Sequence, residues 1–535
     1  MLKTAFLWRF FLLLLVAGSM FALGVATHKN EYRPYRMARD LFRRAFTDPQ
    51  KMLSTQYSRD NKETALDQGI DSALLPLVVA GLRISERQPI PKGSGSITIV
   101  GNSVIVLDRL GNLYSYRRGE DQLSKLPAPE LPNNMRDYLT RGQASVDDRT
   151  FRAIKILWLE SSGQLAVSHE YYDVEGRGIR LAVSVIAFDQ RTMLPTGAWK
   201  TIFRSEVQDY GPNNNGGGML AVAGPDKLYL SIGDYMIKAG KPAQNPKSDF
   251  GKIIEINLRT QQHKIFSSGH RNPQGLFVTK KGDVLSTEHG PAGGDELNHV
   301  TEGSNYGWPD VTLGTEYGTY EPNNEHVGEH DGFKMPMFGW VPSIGVANLI
   351  EIAGFHRRWD GDLLVASLKA QSLFRLRLDG MRVVYAEPVY IGQRIRDIGQ
   401  FKDGSIVLWT DSTQLLFVSV DKTRLDQNQR PVQPIGDSLR YSCMYCHHFG
   451  PTRPSDFAPS LTNLIGRKIA SDNFRYSDAL RSMEGAWTPE RLSDYLSNPA
   501  KFASGTSMPA PHLSRFAIDD IIRDLEHAAS DTTEH

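Results

Sequence analysis

Cysteine is almost missing from this chain: 535 residues contain two, Cys443 and Cys446. Whatever use is made of that pair leaves no thiol for a disulfide elsewhere, so a disulfide-stapled scaffold is excluded. Net charge is equally scarce. Sixty-one Lys+Arg face 60 Asp+Glu for a formal +1, which gives no electrostatic reason to expect nucleic acid as a partner. Long apolar runs are limited to one, Phe10 to Ala26. Histidine is absent between His169 and His263, a gap that matters below.

The chain is too long for one ordinary core, so two or more domains are expected. A composition 40% hydrophobic and 23% charged is globular. The 47 glycines and frequent Tyr and Phe favour short strands joined by tight turns. Lys3 and Arg9 ahead of the apolar run make residues 1–27 a signal peptide, with Gly24-Val25-Ala26 as a cleavage site, or a membrane anchor. The anchor is favoured, because Lys29, Arg33, Arg36 and Arg39 follow closely and a basic mature start retards export. The positive-inside rule then puts the remainder on the periplasmic side. Residues 28–90, with "RMARDLFRRAF" and "DQGIDSALLPLVVAGL", read as a charged helical spacer.

From 91 to 425 one pattern recurs: a turn pair containing Gly or Asp, then a short apolar strand. Its six copies are Gly101-Asn102 before "SVIVLDR", Ser162-Gly163 before "QLAVSHE", Pro225-Asp226 before "KLYLSIGD", Lys281-Gly282 before "DVLSTEHG", Asp360-Gly361 before "DLLVASLK" and Asp403-Gly404 before "SIVLWTD". Six units of a few strands each predict an all-β six-bladed propeller, which protects strand edges by radial repetition. Ordinary hairpins in a sandwich are the alternative. Residues 426–436 are a polar, Pro-containing linker. Residues 437–535 read as an all-α domain, with Thr488 capping "TPERLSDYLSNP" and Phe516, Ile518, Ile521, Ile522 and Leu525 at helical spacing.

Cys443-Met444-Tyr445-Cys446-His447 is a C-x-x-C-H haem attachment sequence. Two thiols one helical turn apart form thioethers to one haem c, and the adjacent His447 meets the iron. A thioredoxin-like pair would want a βαβ setting, and zinc two further ligands. The second axial ligand should be a soft donor downstream; Met508 in "GTSMPA" fits, although a methionine is as readily a core residue. The segment resembles class I cytochrome c domains through "CMYCHHFG", "APSLTNLIGRK", "WTPERLSDYLSNPAKF" and "GTSMPAP". The resemblance implies His447 and Met508 as axial ligands, with Pro459 on the proximal side.

Within the repeat region, "SSGHRNPQGL" (267–276) and "STEHGPAGGDELNHVTEGSNYGWP" (286–309) concentrate cations, amides and carboxylates on turns. "GPAGGDE" is a reasonable Ca²⁺ environment. Arg394 and Arg396 alternate along "RIRDI", and Lys369 ends "VASLK"; converging cations would suit a polyanionic ligand. Together these stretches resemble the soluble glucose dehydrogenase and aldose sugar dehydrogenase family, six-bladed propellers that use pyrroloquinoline quinone (PQQ) with Ca²⁺. The likeness is strongest over 267–309 and 360–411. It implies that Arg271, Asn272, Lys369, Arg394 and Arg396 hold PQQ, that Gly290 and Pro291 present carbonyls to Ca²⁺, and that Glu296 and Tyr306 match a second Ca²⁺ site of some members.

The sequence departs from the family at one place. Where the family carries its catalytic His and a nearby Arg, this chain has Asn215 and Met219. An amide is no general base near neutral pH; His289, Asp295 and Glu288 are the alternatives nearest in sequence to the cofactor motif. The expectation is a quinohaemoprotein dehydrogenase that oxidises a sugar or alcohol and passes electrons through its haem to a respiratory acceptor. A non-enzymatic electron carrier with a docking or carbohydrate-binding propeller is the alternative. A peroxidase would need an open iron position, which Met508 closes.

Overall fold

The computed structural model describes residues 67–82, 90, 93–120, 122–140, 151–209, 215–315, 330–427, 458–471 and 474–508, together with Cys443, His447 and parts of 518–526. The expected signal or anchor segment (1–27), the Arg-rich start of the spacer and residues 428–436 of the expected 426–436 linker lie outside these residues, while the first two linker residues end the helix Lys422–Gln427. Among the described residues no helix is long and apolar enough to cross a membrane.

Strands dominate up to Val420, in six separate antiparallel sheets. Each of the six turn-plus-strand copies is the second strand of a different sheet, from Ser103–Leu107 in blade 1 to Ile406–Thr410 in blade 6. The preceding turn is the hairpin from the blade's first strand. These second strands each carry apolar residues on both faces in their first half, and Ser103–Leu107, Val284–Glu288, Leu363–Ser367 and Ile406–Thr410 are buried throughout. Burial on both sides follows because each blade is sandwiched between two others.

The ring is closed by its core. Six apolar clusters fill the six gaps between blades, joining 1 to 2, 2 to 3, 3 to 4, 4 to 5, 5 to 6 and 6 back to 1. The last seam packs Ile97, Val104 and Tyr114 against Val407, Trp409 and Leu415. Burying one Leu, Ile or Val completely is worth roughly 1.5–3 kcal/mol, so each seam holds its neighbours firmly.

Residues 67–82 correct the helical-spacer reading of 28–90. Asp67–Asp71 and Pro76–Leu82 are strands, and they complete blade 6. Pro76–Leu82 pairs with Leu415–Val420 from Leu77↔Val420 to Leu82↔Leu415. Chain ends far apart in sequence thus share one sheet, which locks the ring. The apolar run "LLPLVVAGL" fits either element locally; pairing with Asp67–Asp71 on one side and with a strand more than 330 residues away on the other makes it a strand.

Beyond the propeller, helices Asp478–Arg481, Pro489–Ser497 and Pro499–Phe502 pack around their own core. Thr488 caps Pro489–Ser497, its side chain accepting from the amide of Arg491. Ile518, Ile521, Ile522 and Leu525 are all buried in that core, as their helical spacing predicts.

Candidate functional site

The first strands of the blades begin at Ser96, Ala153, Gly217, Pro273, Val346 and Ile395. They line the axis and contact one another around the ring. Because they run the same way, the residues at their starts gather at one end of the axis: Arg152, Asn215 with Gly216, Arg271 with Asn272, Gly345 and Arg394 just before the strands, and Arg396 at the second position of its own. Antiparallel second strands return to that same end and deliver Asp234, Glu288, His289, Lys369 and Asp411 just past their last residues or in their last positions. Propeller geometry therefore collects what the sequence scatters over 260 residues.

Arg394 and Arg396 share one carboxylate. Arg394 Nε lies 3.0 Å from Asp411 Oδ2, and Arg396 donates to Asp411 Oδ1 through Nε at 3.1 Å and Nη2 at 2.6 Å. Burial works to raise the Asp411 carboxyl, but Arg396 and Arg394 outweigh it and hold it low. Burial lowers the Arg396 guanidinium, and the charges of Arg152 and Arg394 press it the same way against Asp411. Burial likewise lowers the His289 imidazole below its ordinary value, with Asp295 opposing and Arg271 and Arg396 assisting. Arg152, Arg271, Arg394 and Arg396 thus share one electrostatic neighbourhood. Lys369 is exposed at the same end.

Arg271 is buried, with Nη1 donating to the carbonyls of His289 (3.1 Å) and Gly290 (2.7 Å). Its Nε finds no partner among the described residues, and its guanidinium lies over the Trp308 ring at 5.2 Å. Asn272 accepts from Gly217 N and from Gln274 Nε2. A buried guanidinium with an unsatisfied N–H beside further arginines fits a multiply anionic cofactor such as PQQ. For Ca²⁺ the fit depends on carbonyls: Gly290 O already faces Arg271, and no three His, Cys, Asp or Glu side chains cluster as a metal site among the described residues. A calcium ion there would need the anionic cofactor as a further ligand.

Glu296 is buried, with Oε1 3.8 Å from His330 Nε2 and Oε2 accepting from Asn298. Burial raises its carboxyl above the ordinary range. The Tyr306 hydroxyl donates to His299 O at 2.5 Å and accepts from Thr301 N, and its ring stacks on His270. That hydroxyl is committed to the backbone.

Asn215 is buried and donates from Nδ2 to Asp234 Oδ1 at 3.0 Å. Asp234 also accepts from Met236 N and Trp308 Nε1, both at 2.8 Å; burial raises its carboxyl despite these donors and nearby Arg271. Gly233 is needed here, because any β-carbon would collide with the Asn215 carbonyl oxygen. Tyr235, Met236, Lys238 and Ala239, on the loop that follows, are all left-handed, a run of strained backbone typical of functional loops. Buried Lys252 clamps the loop by donating to the carbonyls of Pro242, Ala243 and Phe250.

The alternative bases are engaged elsewhere. Asp295 accepts from the amides of Gly290, Gly345 and Val346. Glu288 accepts from Arg271 N and pairs with His270. His289 Nε2 lies 2.6 Å from the Val346 carbonyl. Sequence reasoning missed Arg152, Asp234 and Trp308. Asp234 ends one of the repeated strands and Trp308 sits in a quoted motif, so position could have flagged both; Arg152 carries no local signal.

In the C-terminal region His447 Nδ1 lies 2.8 Å from the Pro459 carbonyl. A carbonyl only accepts, so Nδ1 donates and the neutral ring carries its lone pair on Nε2. That is the arrangement of a metal-bound histidine. His447 N donates to Cys443 O at 2.9 Å, setting the two one helical turn apart. Cys446 lies outside the described residues. Met508 and Cys443 pack against the same apolar core, and Met508 N donates to Thr506 Oγ1, which is bonded to the Tyr495 hydroxyl.

A six-bladed ring with cations at one axial end, followed by a haem-attachment sequence whose histidine has a metal-binding tautomer, defines a two-part redox architecture. Residues 158–417 match the family model described as Glucose / Sorbosone dehydrogenase. The aldose sugar dehydrogenase of Escherichia coli is 29% identical over 247 residues, 41% of this chain and 64% of that protein. Quinoprotein glucose dehydrogenase B of Acinetobacter calcoaceticus is 26% identical over 276 residues, 35% and 56% of the two chains. This chain thus spans less than two thirds of either relative. A crystal structure of glucose dehydrogenase, 24% identical, superposes with a TM-score of 0.54 over 64% of this chain and 99% of its own, which shows the fold. Cytochrome c2 of Agrobacterium tumefaciens is 32% identical over 100 residues, 18% of this chain and 90% of that protein. The chain belongs, through its C-terminal region, to the cytochrome c family, and its propeller is similar to the glucose/sorbosone dehydrogenases over the residues the family model matches.

Proposed function

We propose that the protein is a PQQ-dependent dehydrogenase of sugars or related hydroxyl compounds that delivers its electrons to its own covalently bound haem c. The observation that carries this reading is the placement of Arg271, Arg394 and Arg396 at one axial end of the ring, with Arg271 on the Gly290 carbonyl and Arg394 and Arg396 sharing the Asp411 carboxylate. PQQ bound there would supply two-electron oxidation chemistry, with Ca²⁺ at the Gly290 and Pro291 carbonyls. Arg271, Asn272, Lys369, Arg394 and Arg396 would orient it, and Asp411 fixes the geometry of the last two. His447 and Met508 would ligate the haem iron on its two sides. Tethering the cytochrome to the propeller replaces a diffusional encounter with a high local concentration. On this reading the propeller and cytochrome stand on the periplasmic side, with residues 1–27 as anchor or signal and a respiratory acceptor as the next electron carrier.

The buried Asn215–Asp234 pair favours a second reading, in which the propeller binds its ligand without oxidising it and the chain is an electron carrier. One experiment separates the two. The protein is matured with haem, oxidised, loaded with PQQ and Ca²⁺, and offered a panel of sugars and alcohols while reduced-haem absorbance is followed. Haem reduction that requires both PQQ and a substrate is expected. PQQ binding without reduction by any substrate would leave the carrier reading.

A further inference from the structure

Asp234 follows the second strand of blade 3, and Arg271 leads into the first strand of blade 4. The amide of Asp234 donates to the Arg271 carbonyl at 2.8 Å, so the two backbones touch. Burial raises the Asp234 carboxyl and the Arg271 charge opposes it, so the side chains lie within electrostatic reach. Both are buried and opposite in charge, yet among the described residues no ion pair joins them. Arg271 Nη1 is spent on the His289 and Gly290 carbonyls, and its Nε has no partner among those residues. Asp234 Oδ1 accepts from Asn215 Nδ2 and Met236 N; Oδ2 accepts from Trp308 Nε1 alone, at 2.8 Å.

Trp308 touches both charges. Its indole N–H serves the carboxylate, and the Arg271 guanidinium lies over the same ring at 5.2 Å. The indole is held firmly. Trp308 N donates to Gly269 O at 3.0 Å, and Gln244 Nε2 donates to the Trp308 carbonyl at 2.6 Å. Gly240, at φ 83°, closes on the ring edge, where a β-carbon would come within 2.3 Å of Nε1. A buried carboxylate oxygen with one donor and a buried guanidinium with a spare N–H would otherwise pair, because charge-assisted bonds are the strong ones. The indole satisfies the anion with a neutral N–H and the cation with its π face.

We propose that Trp308 is a positioning residue that keeps Arg271 and Asp234 out of an ion pair, leaving the guanidinium open to an anionic cofactor and the carboxylate aimed at residue 215. Its bearing on cofactor binding rests on the quinone reading. The separation of the two charges rests on the indole contacts alone.

The test is PQQ affinity, measured by isothermal calorimetry on the full haem-containing chain with Ca²⁺ present. Trp308→Leu removes both contacts, strands Oδ2 and draws Arg271 onto it. Affinity should fall about tenfold or more, the scale of one hydrogen bond to a charged group. Adding Asp234→Asn should return most of that loss, a gain much larger than the same substitution gives beside Trp308. A tryptophan that only packed the loop would not be rescued by neutralising a carboxylate. Should Trp308→Leu not fold, Trp308→Phe keeps a ring over Arg271, removes the N–H, and should show the same rescue on a smaller loss. In the cofactor-free chain, a double-mutant cycle of Arg271→Gln and Asp234→Asn, read by urea unfolding, should give a larger coupling in Trp308→Leu than in the wild type. Unchanged PQQ affinity in Trp308→Leu, equal gains from Asp234→Asn in the two backgrounds, or equal coupling in the two cycles would overturn the proposal. A wild type that takes up no PQQ, with the coupling still growing when Trp308 is removed, would sink the quinone reading and leave the positioning role standing.

Discussion

The side-chain amide of Asn215 donates to the carboxylate of Asp234, 3.0 Å away and closed off from solvent. A carboxylate held by three donors yet raised by burial is set to orient and stabilise an imidazolium, but the residue in front of it cannot take a proton.

Asn215→His should therefore supply the missing base. In a PQQ-loaded protein, substrate-driven haem reduction is expected to accelerate by about a hundredfold or more, the usual range for a positioned general base. The rate should then rise with pH through the new imidazole's titration. Stopped-flow absorbance measures both. An unchanged rate and flat pH profile would place the proton acceptor away from residue 215.

The haem ligands can be tested by potential. On the proposed ligation Met508→His exchanges a thioether for an imidazole, so the midpoint potential should fall. A spectroelectrochemical titration that finds no change would remove Met508 from the iron.

Lys155 and Asp397 form an ion pair at 2.6 Å, 5% and 1% exposed. It joins the first strands of blades 2 and 6, and Asp397 also accepts from Ile97 N and Asn348 Nδ2. Asp397→Leu alone leaves a buried ammonium and should cost about 3–5 kcal/mol in denaturant unfolding. The double variant Lys155→Met, Asp397→Leu should recover much of that loss. Equal losses in single and double variants would show that the pairing itself carries little of the cost.

His169 gives the propeller an acid limit. It is fully buried, with Nδ1 on the Glu170 carbonyl and Nε2 on Ser184 Oγ. Burial first, and Arg204 to a smaller degree, lower its pKa from 6.5 to about 4. Between those values the unfolded chain binds the extra proton, so this contribution to stability is complete above pH 6.5 and is lost as pH falls towards 4. At pH 5 the loss is about 2 kcal/mol, from 1.36 kcal/mol per pKa unit. Urea titrations of the wild type and His169→Asn at pH 7 and pH 5 measure it; the variant should show a shallower pH dependence.

Much of this protein was legible as sequence because its signals are local. A hairpin turn followed by an apolar strand is written within ten residues, and six copies from Gly101 to Thr410 mark six blades. Cys443 and His447 are one helical turn apart whatever the rest of the chain does. The stretch 67–82 was misread for the opposite reason: "LLPLVVAGL" is apolar enough for helix or strand, and its partner Leu415–Val420 lies at the other end of the ring.

Sequence alone determined the haem-attachment motif, the six-fold repetition and the presence of Asn215 where the resembling family has a base, since each is a matter of residue identity and short spacing. Tertiary structure decided that Arg152, Arg271, Arg394 and Arg396 act on one neighbourhood, that Asp411 binds two of them, and that Asp234 stands behind Asn215. Those residues are neighbours only because six first strands run in one direction around one axis. Closing the ring brings their starting ends together at a single face.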